Sequence, residues 1–358
     1  MKAPKLHWSL RESTNRVIQS VPPILQIVLG ATSAYSVAHF LLGHAYPIFA
    51  VTVTIGALGF TRDARPSRVL QTAFGMILGI ALSEILLWSI GAGIWQMALV
   101  LLIALTAARF ITGSAAFALT VGIQAMLVYI MPPPEGGAFI RSLDGLLGGV
   151  TALVFTALIP RDPRGLAKHD GEALFFVFLD SLKALEIAVR RVDTKVADAA
   201  LAQVRKSQPL VDNWRLSLDS AIAVARISPF LRKYRDELSG QVRLMRGMDL
   251  ATRNLRVVVR RVDFLVEDGK SRPYLADLFD QIGSATAMLQ RGLEDDQARG
   301  DAQEMFVEII HQLDPKRFGI ANEIREASVL LLLRPLLVDL LCASGMTEDA
   351  ARAELPAI

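Results

Sequence analysis

The sequence predicts an all-α membrane protein, a six-span transmembrane helical domain that reads as a 3+3 inverted repeat, followed by a helical cytoplasmic domain. Three observations predict it. The 358 residues are 52% hydrophobic, with a mean hydropathy of +0.39. The apolar residues concentrate before residue 160, in long stretches broken by short polar or basic punctuation. After that point charge returns, and apolar residues recur at helical spacing. The resulting domains are a basic cytoplasmic segment (1–19), the six-helix domain (20–160) and the helical cytoplasmic domain (161–358).

The spans fall at 20–42, 46–61, 69–90, 93–109, 111–131 and 142–159, the second and fourth being short for a hydrocarbon core of about 30 Å. Six such runs in succession leave no polar faces for water. The first is too long for a signal-peptide core and follows Lys2, Lys5, Arg11 and Arg16, so it is expected to stay as an uncleaved helix. Arg62, Arg65 and Arg68 separate the second and third spans, Arg109 follows the fourth, and Arg161, Arg164 and Lys168 follow the sixth. The loops GHAY (43–46), GAGIW (91–95) and MPPPEGGAFIR (131–141) hold one Arg and no Lys. Positive charge therefore marks one side, which predicts cytoplasmic termini in a plasma-membrane protein.

The phrase FAVTVTIG (49–56) in the second span returns as FALTVGIQ (117–124) in the fifth. The third span opens RVLQTAFGMILG at Arg68 and the sixth RSLDGLLGGVTA at Arg141, each with a Gly seven residues on (Gly75, Gly148). Three helices per group is odd, so the second group enters the membrane from the other side, a construction common in secondary transporters. Thr52 and Thr120 become counterparts near the midplane.

Beyond residue 160, stretches such as 173–189, 242–266 and 274–293 carry apolar residues at helical spacing. Pro209, Pro229, Gly269 with Pro273, and Pro315 divide the region into five or six helices. The run SVLLLLRPLLVDLLCASG (328–345) has Arg334, Pro335 and Asp339 in its middle, which predicts a core or interface helix instead of a seventh span.

Residues 1–160 carry nine Lys and Arg against five Asp and Glu; the remainder carries 29 against 30. The basic balance is thus a topology signal and predicts no nucleic-acid partner. No GxxxxGK[ST], HExxH or GxSxG occurs, the five histidines are scattered, and Cys342 is the single cysteine. No enzyme, cofactor or metal site is expected.

Ionisable groups inside a membrane cost about 2.5–3.5 kcal/mol on insertion scales and mark functional positions. Three candidates for proton coupling result: Glu84, about 22 Å along the third span, His39 late in the first, and Asp144 at the start of the sixth, where Arg141 at i−3 is its expected partner. Glu84 reads equally as a protonated structural acid. Candidate substrate-binding residues are Gln26, Thr52, Arg109, Thr120 and Gln124. Arg62, Arg65, Arg68 and Arg109 either line a cytoplasmic entrance that concentrates anions or act only as topology signals. Gln26 and Gln124 either bind a carboxylate or join helices.

The six-span layout, the stretch RPSRVLQTAFGMILG (65–79) and the end DLLCASG (339–345) resemble the fusaric acid resistance and aromatic acid exporter family. The resemblance implies efflux of aromatic or other hydrophobic carboxylic acids. Larger relatives carry two such modules in tandem, which implies a homodimer here, within membrane lipid and with an organic anion as substrate. Plant aluminium-activated malate channels are distantly similar, so an anion channel is the first alternative. A membrane-anchored scaffold with a partner-binding helical domain is the second.

Overall fold

Glycine, proline and serine punctuate the apolar stretches, and the helices begin and end where they stand. The computed structural model describes residues 10–60, 65–132, 137, 139–159, 163–320 and 323–357. Among these residues every regular element is helical. The chain divides into two compact units, Met1–Arg161 with Ala223–Arg232, and Asp162–Ile222 with Lys233–Ile358.

In the first unit α1 (Leu10–Ser36) continues into a π turn (Val37–Leu41), followed by α2 (Ile48–Leu58), α3 (Pro66–Ile90), α4 (Ile94–Ile111), α5 (Ala115–Ile130) and α6 (Ile140–Leu158). Gly59 and Gly91, at φ of 44° and 72°, end α2 and α3 in backbone regions that only glycine enters at little cost. Pro66 occupies the first turn of α3, where its missing N–H leaves no bond unmade. Ser114 caps α5 by accepting from the Phe117 N–H at 3.3 Å.

Ser20–Leu41, α3, α4 and α6 are long and apolar enough to cross a membrane, and so, by length and composition, is Ile324–Ser344 in the second unit. Four of the six expected spans are among these five helices. The difference lies in α2 and α5, which are apolar but only 11 and 16 residues long. Pro47 and Gly59 trim the second expected span, and residues 112–114 turn the chain where the fifth was expected to have begun.

The packing is paired. α2 packs on α6 and α5 on α3; α1 meets α2 and α4 meets α5; α1 also touches α6 and α4 touches α3; α3 and α6 cross each other. Exchanging the first three helices for the last three reproduces each of these pairs. The contact of α2 with α3 has no equally extensive counterpart between α5 and α6. Glycines permit the closest approaches. A Cβ on Gly79 would stand 2.3 Å from the Val121 carbonyl oxygen of α5, and one on Gly148 2.4 Å from the Ala50 oxygen of α2. Side chains add ties between helices: Thr54 Oγ1 donates to the Gly148 carbonyl at 3.0 Å and Ser83 Oγ to the Ala125 carbonyl at 2.7 Å.

The second unit draws on α7 (Pro163–Arg191), α8 (Thr194–Arg205), α9 (Gln208–Ile227), α10 (Arg235–Val266), α11 (Pro273–Arg291), α12 (Asp296–Ile310), α13 (Ile324–Ser344) and α14 (Glu348–Ala353). These eight exceed the five or six expected. Asp193 and Asp295 cap helices at breaks that contain no proline, while Pro209 lies in the first turn of α9 and starts a helix instead of ending one. α13 is apolar all round because it is a core helix packed on α10 and α12, with Leu330, Leu333, Leu337 and Leu340 fully buried. Its polar groups are answered within the unit, Asp339 by Asn254 at 2.6 Å and Arg334 by the Leu313 and Pro356 carbonyls.

Candidate functional site

The end of the first unit that carries Arg65 and Arg68 holds a cavity of about 490 Å³, within the range of small-molecule sites. The last turn of α2 (Gly56, Ala57, Gly59), the start of α3 (Arg65, Ser67, Arg68, Gln71, Thr72) and the start of α5 (Ser114, Ala116, Phe117, Thr120) line it. The spacing of RPSRVLQT puts both arginines, Gln71 and Thr72 within two turns at one helix start. Two helix N-termini and two guanidiniums at one cavity create a positive potential that suits an anion. The Phe117 ring and the alanines supply an apolar wall beside it.

The opposite end holds a closed polar cluster. The π turn, a feature frequent at functional sites, carries His39, whose Nδ1 donates to the His44 carbonyl at 2.9 Å and whose ring stacks on Tyr35. His44 Nδ1 lies 2.6 Å from Asp144 Oδ1. Glu84, on α3, accepts from both the backbone N–H and the hydroxyl of Ser142 at the start of α6. Arg141 donates to the carbonyls of Val128 (2.9 Å), Met131 (3.1 Å) and Pro132, covers the Phe49 ring at 6.0 Å, and is within electrostatic reach of Glu84. Arg141, Asp144 and Glu84 are all buried, at 6%, 2% and 9% exposure.

The three proton-coupling candidates Glu84, His39 and Asp144 therefore gather around the start of α6. The expected partner of Asp144 is corrected: His44 from the loop before α2 bonds it, because Arg141 is drawn to the carbonyls where α5 ends. Of the substrate-binding candidates, Thr120 lines the cavity. Arg109 does not: it is exposed and donates to the Gly113 carbonyl at 2.6 Å, closing the end of its own helix. Gln26 joins helices, donating to the Phe155 and Ile159 carbonyls at the end of α6. Thr52 faces its own helix, with Oγ1 3.4 Å from the Phe49 carbonyl. Gln124 is buried and its Oε1 has no hydrogen-bond partner among the described residues, which costs about 1–3 kcal/mol and marks the position. Arg62 lies outside the described residues. Sequence reasoning missed His44 and Ser142; their one signal was position, at the same end of the bundle as Asp144.

Residues 33–155 match the family described as fusaric acid resistance protein-like. The likeness covers this segment of the chain. The segment contains both the cavity and the opposite cluster. Over 98% of its length the chain is 27% identical to an uncharacterised protein of Corynebacterium glutamicum, covering 92% of that protein. Over 39% of its length it is 29% identical to proteins of Mycobacterium bovis and Mycobacterium tuberculosis that carry the name "Putative arylamide transporter", covering 41% of each. No solved structure matches. The family description and the named mycobacterial relatives point to a membrane transporter.

Proposed function

We propose that this chain is a secondary transporter that exports aromatic or other hydrophobic organic acids across the plasma membrane. In this reading α1–α6 are six spans forming a 3+3 inverted repeat, with both termini cytoplasmic. The observation that carries the proposal is the cavity at the basic end, where Arg65, Arg68 and the starts of α3 and α5 meet beside an aromatic wall inside the family-matched segment. The carboxylate of an aromatic acid suits the positive rim, and its ring suits Phe117 and the alanines. The paired packing of α1–α3 and α4–α6 supports the repeat. The positive-inside bias supports a cytoplasmic-facing cavity, the side from which an exporter loads.

A channel needs a continuous path, and the buried cluster at the other end favours a carrier over the malate-channel reading. A scaffold has no use for buried Glu84, Arg141 and Asp144 in an apolar bundle. The homodimer remains part of the proposal; the small-residue pair Gly75 and Gly79, of a kind that permits close helix approach between copies, packs against Phe117 and Val121 of the same chain, so the proposed dimer uses another surface.

A deletion strain tested against a panel of aromatic acids and arylamides decides the matter. Sensitivity to a subset should appear and be reversed by the wild-type gene but not by Arg68→Gln. Equal growth of deletion and parent strains on every compound, with efflux rates unchanged, refutes the transport reading.

A further inference from the structure

α10 runs through the second unit packed on α7, α8 and α13. From residue 243 to 267 its exposed positions are Arg243, Arg246, Leu250, Arg253, Val257, Arg260, Phe264 and Glu267, spaced alternately by three and four. Every position between them is buried or half-buried. This is a 3.5-residue repeat, the seam into which a second helix packs. A face meant only for water would be polar throughout, yet Leu250, Val257 and Phe264 stand 47%, 48% and 51% exposed. Arg253 is answered by Asp249 of its own helix at 2.8 Å. Arg243, Arg246 and Arg260 make no ion pair among the described residues.

The stripe is complementary to itself. Reversed about residue 255, it sets Arg243 against Glu267, Arg246 against Phe264, Leu250 against Arg260 and Arg253 against Val257, so that no arginine meets an arginine. Each guanidinium finds either a carboxylate or an apolar side chain along which its stem can lie, and Phe264 offers Arg246 a ring face. Laid parallel and in register, the same stripe would oppose each arginine to its own copy. We infer that the α10 stripe is a homodimer surface, on which a second copy of this chain packs its own α10 antiparallel about a two-fold axis at residue 255. The inference rests on the homodimer of the proposed function and gives it a surface in the second unit; it does not depend on which substrate is exported.

Light scattering of the full chain in detergent, over a range of concentrations, reads the dimer dissociation constant. Val257→Arg puts an arginine opposite Arg253 twice in each dimer and should weaken association by about tenfold or more. Val257→Glu puts a carboxylate in the same place and should hold or tighten it. Residue 257 is half-exposed within the chain, so both variants should melt as the wild type does. Arg243→Cys with Glu267→Cys in a Cys342→Ser background gives a direct reading. The two positions stand about 36 Å apart on one helix, so oxidation should yield a disulfide-linked dimer, and Arg243→Cys alone should yield none. Equal weakening by Val257→Arg and Val257→Glu refutes the antiparallel pairing. A dimer that neither variant moves and the cysteine pair does not link overturns the stripe and leaves the homodimer on another surface. A wild-type chain that is monomeric at every concentration removes the homodimer and the stripe together.

Discussion

Adding one methyl group at Gly148 or Gly79 should loosen the membrane unit at two symmetric points. A Cβ at Gly148 would sit 2.4 Å from the Ala50 oxygen and one at Gly79 2.3 Å from the Val121 oxygen, whereas carbon and oxygen in contact stand about 3.3 Å apart. Both obstacles are backbone, so no side chain can swing away and the helices must part by about 1 Å. Overpacking of this kind costs about 1–3 kcal/mol. At Gly148 the bond from Thr54 to the same residue's carbonyl, 3.0 Å long, is strained as well. Replacing a helical glycine by alanine returns up to about 1 kcal/mol through helix propensity. The net loss is up to about 2 kcal/mol, with a fall in melting temperature of about 2–4 °C per kcal/mol for a unit of this size. Gly283→Ala, in α11 with nothing within 4 Å of the added carbon, is the control that should hold or raise the melting temperature. Size-exclusion recovery of the full chain in detergent after heating measures all three. Wild-type melting curves for Gly148→Ala and Gly79→Ala would refute the close α2–α6 and α5–α3 packing.

Glu84→Gln should leave the protein in the membrane, because the amide oxygen can still accept from Ser142, yet abolish the pH dependence of efflux; Arg141, Asp144 and His44 remain around it. Wild-type pH dependence in that variant removes Glu84 from the coupling. In the second unit, hydrogen bonding from Arg272 holds the Asp268 carboxyl at about 2, below its unfolded value of about 3.9. Its stabilisation is therefore complete above about pH 4 and lost as pH falls toward about 2. Asp268→Asn should lower thermal stability at neutral pH and flatten the acid loss between about pH 4 and 2; an unchanged acid profile would count against the Arg272 pairing.

Hydropathy made the order of α1–α6 legible and placed the ends of α3, α4 and α6 within three residues, since a continuous apolar run has few other uses. α1, however, begins ten residues before the expected span. Where the runs stop was less legible: Pro47 and Gly59 shorten α2 to 11 residues although the flanking sequence stays apolar. Proline misled in the second unit because it ends a helix from inside but starts one from the first turn, as at Pro209. Of the repeated phrase, Phe117 and Thr120 line the cavity and Thr52 does not. Side-chain partners were not legible. Arg141 stands three residues before Asp144 and local spacing pairs them, but the unmet carbonyls at the end of α5 compete for the guanidinium and leave Asp144 to His44. Arg109 is likewise held by its own helix end.

The shortness of α2 has an electrical consequence. Eleven residues rise about 16 Å, roughly half the hydrocarbon thickness of about 30 Å, so polar backbone on either side of α2 must be wetted or covered by protein. Where water follows the backbone in, most of the transmembrane voltage drops across a thin septum, and a charge crossing it gains about 2.3 kcal/mol per 100 mV within that short distance. Under the proposed export, an anion leaving a negative cytoplasm would move with this field, and the resting potential itself would drive it.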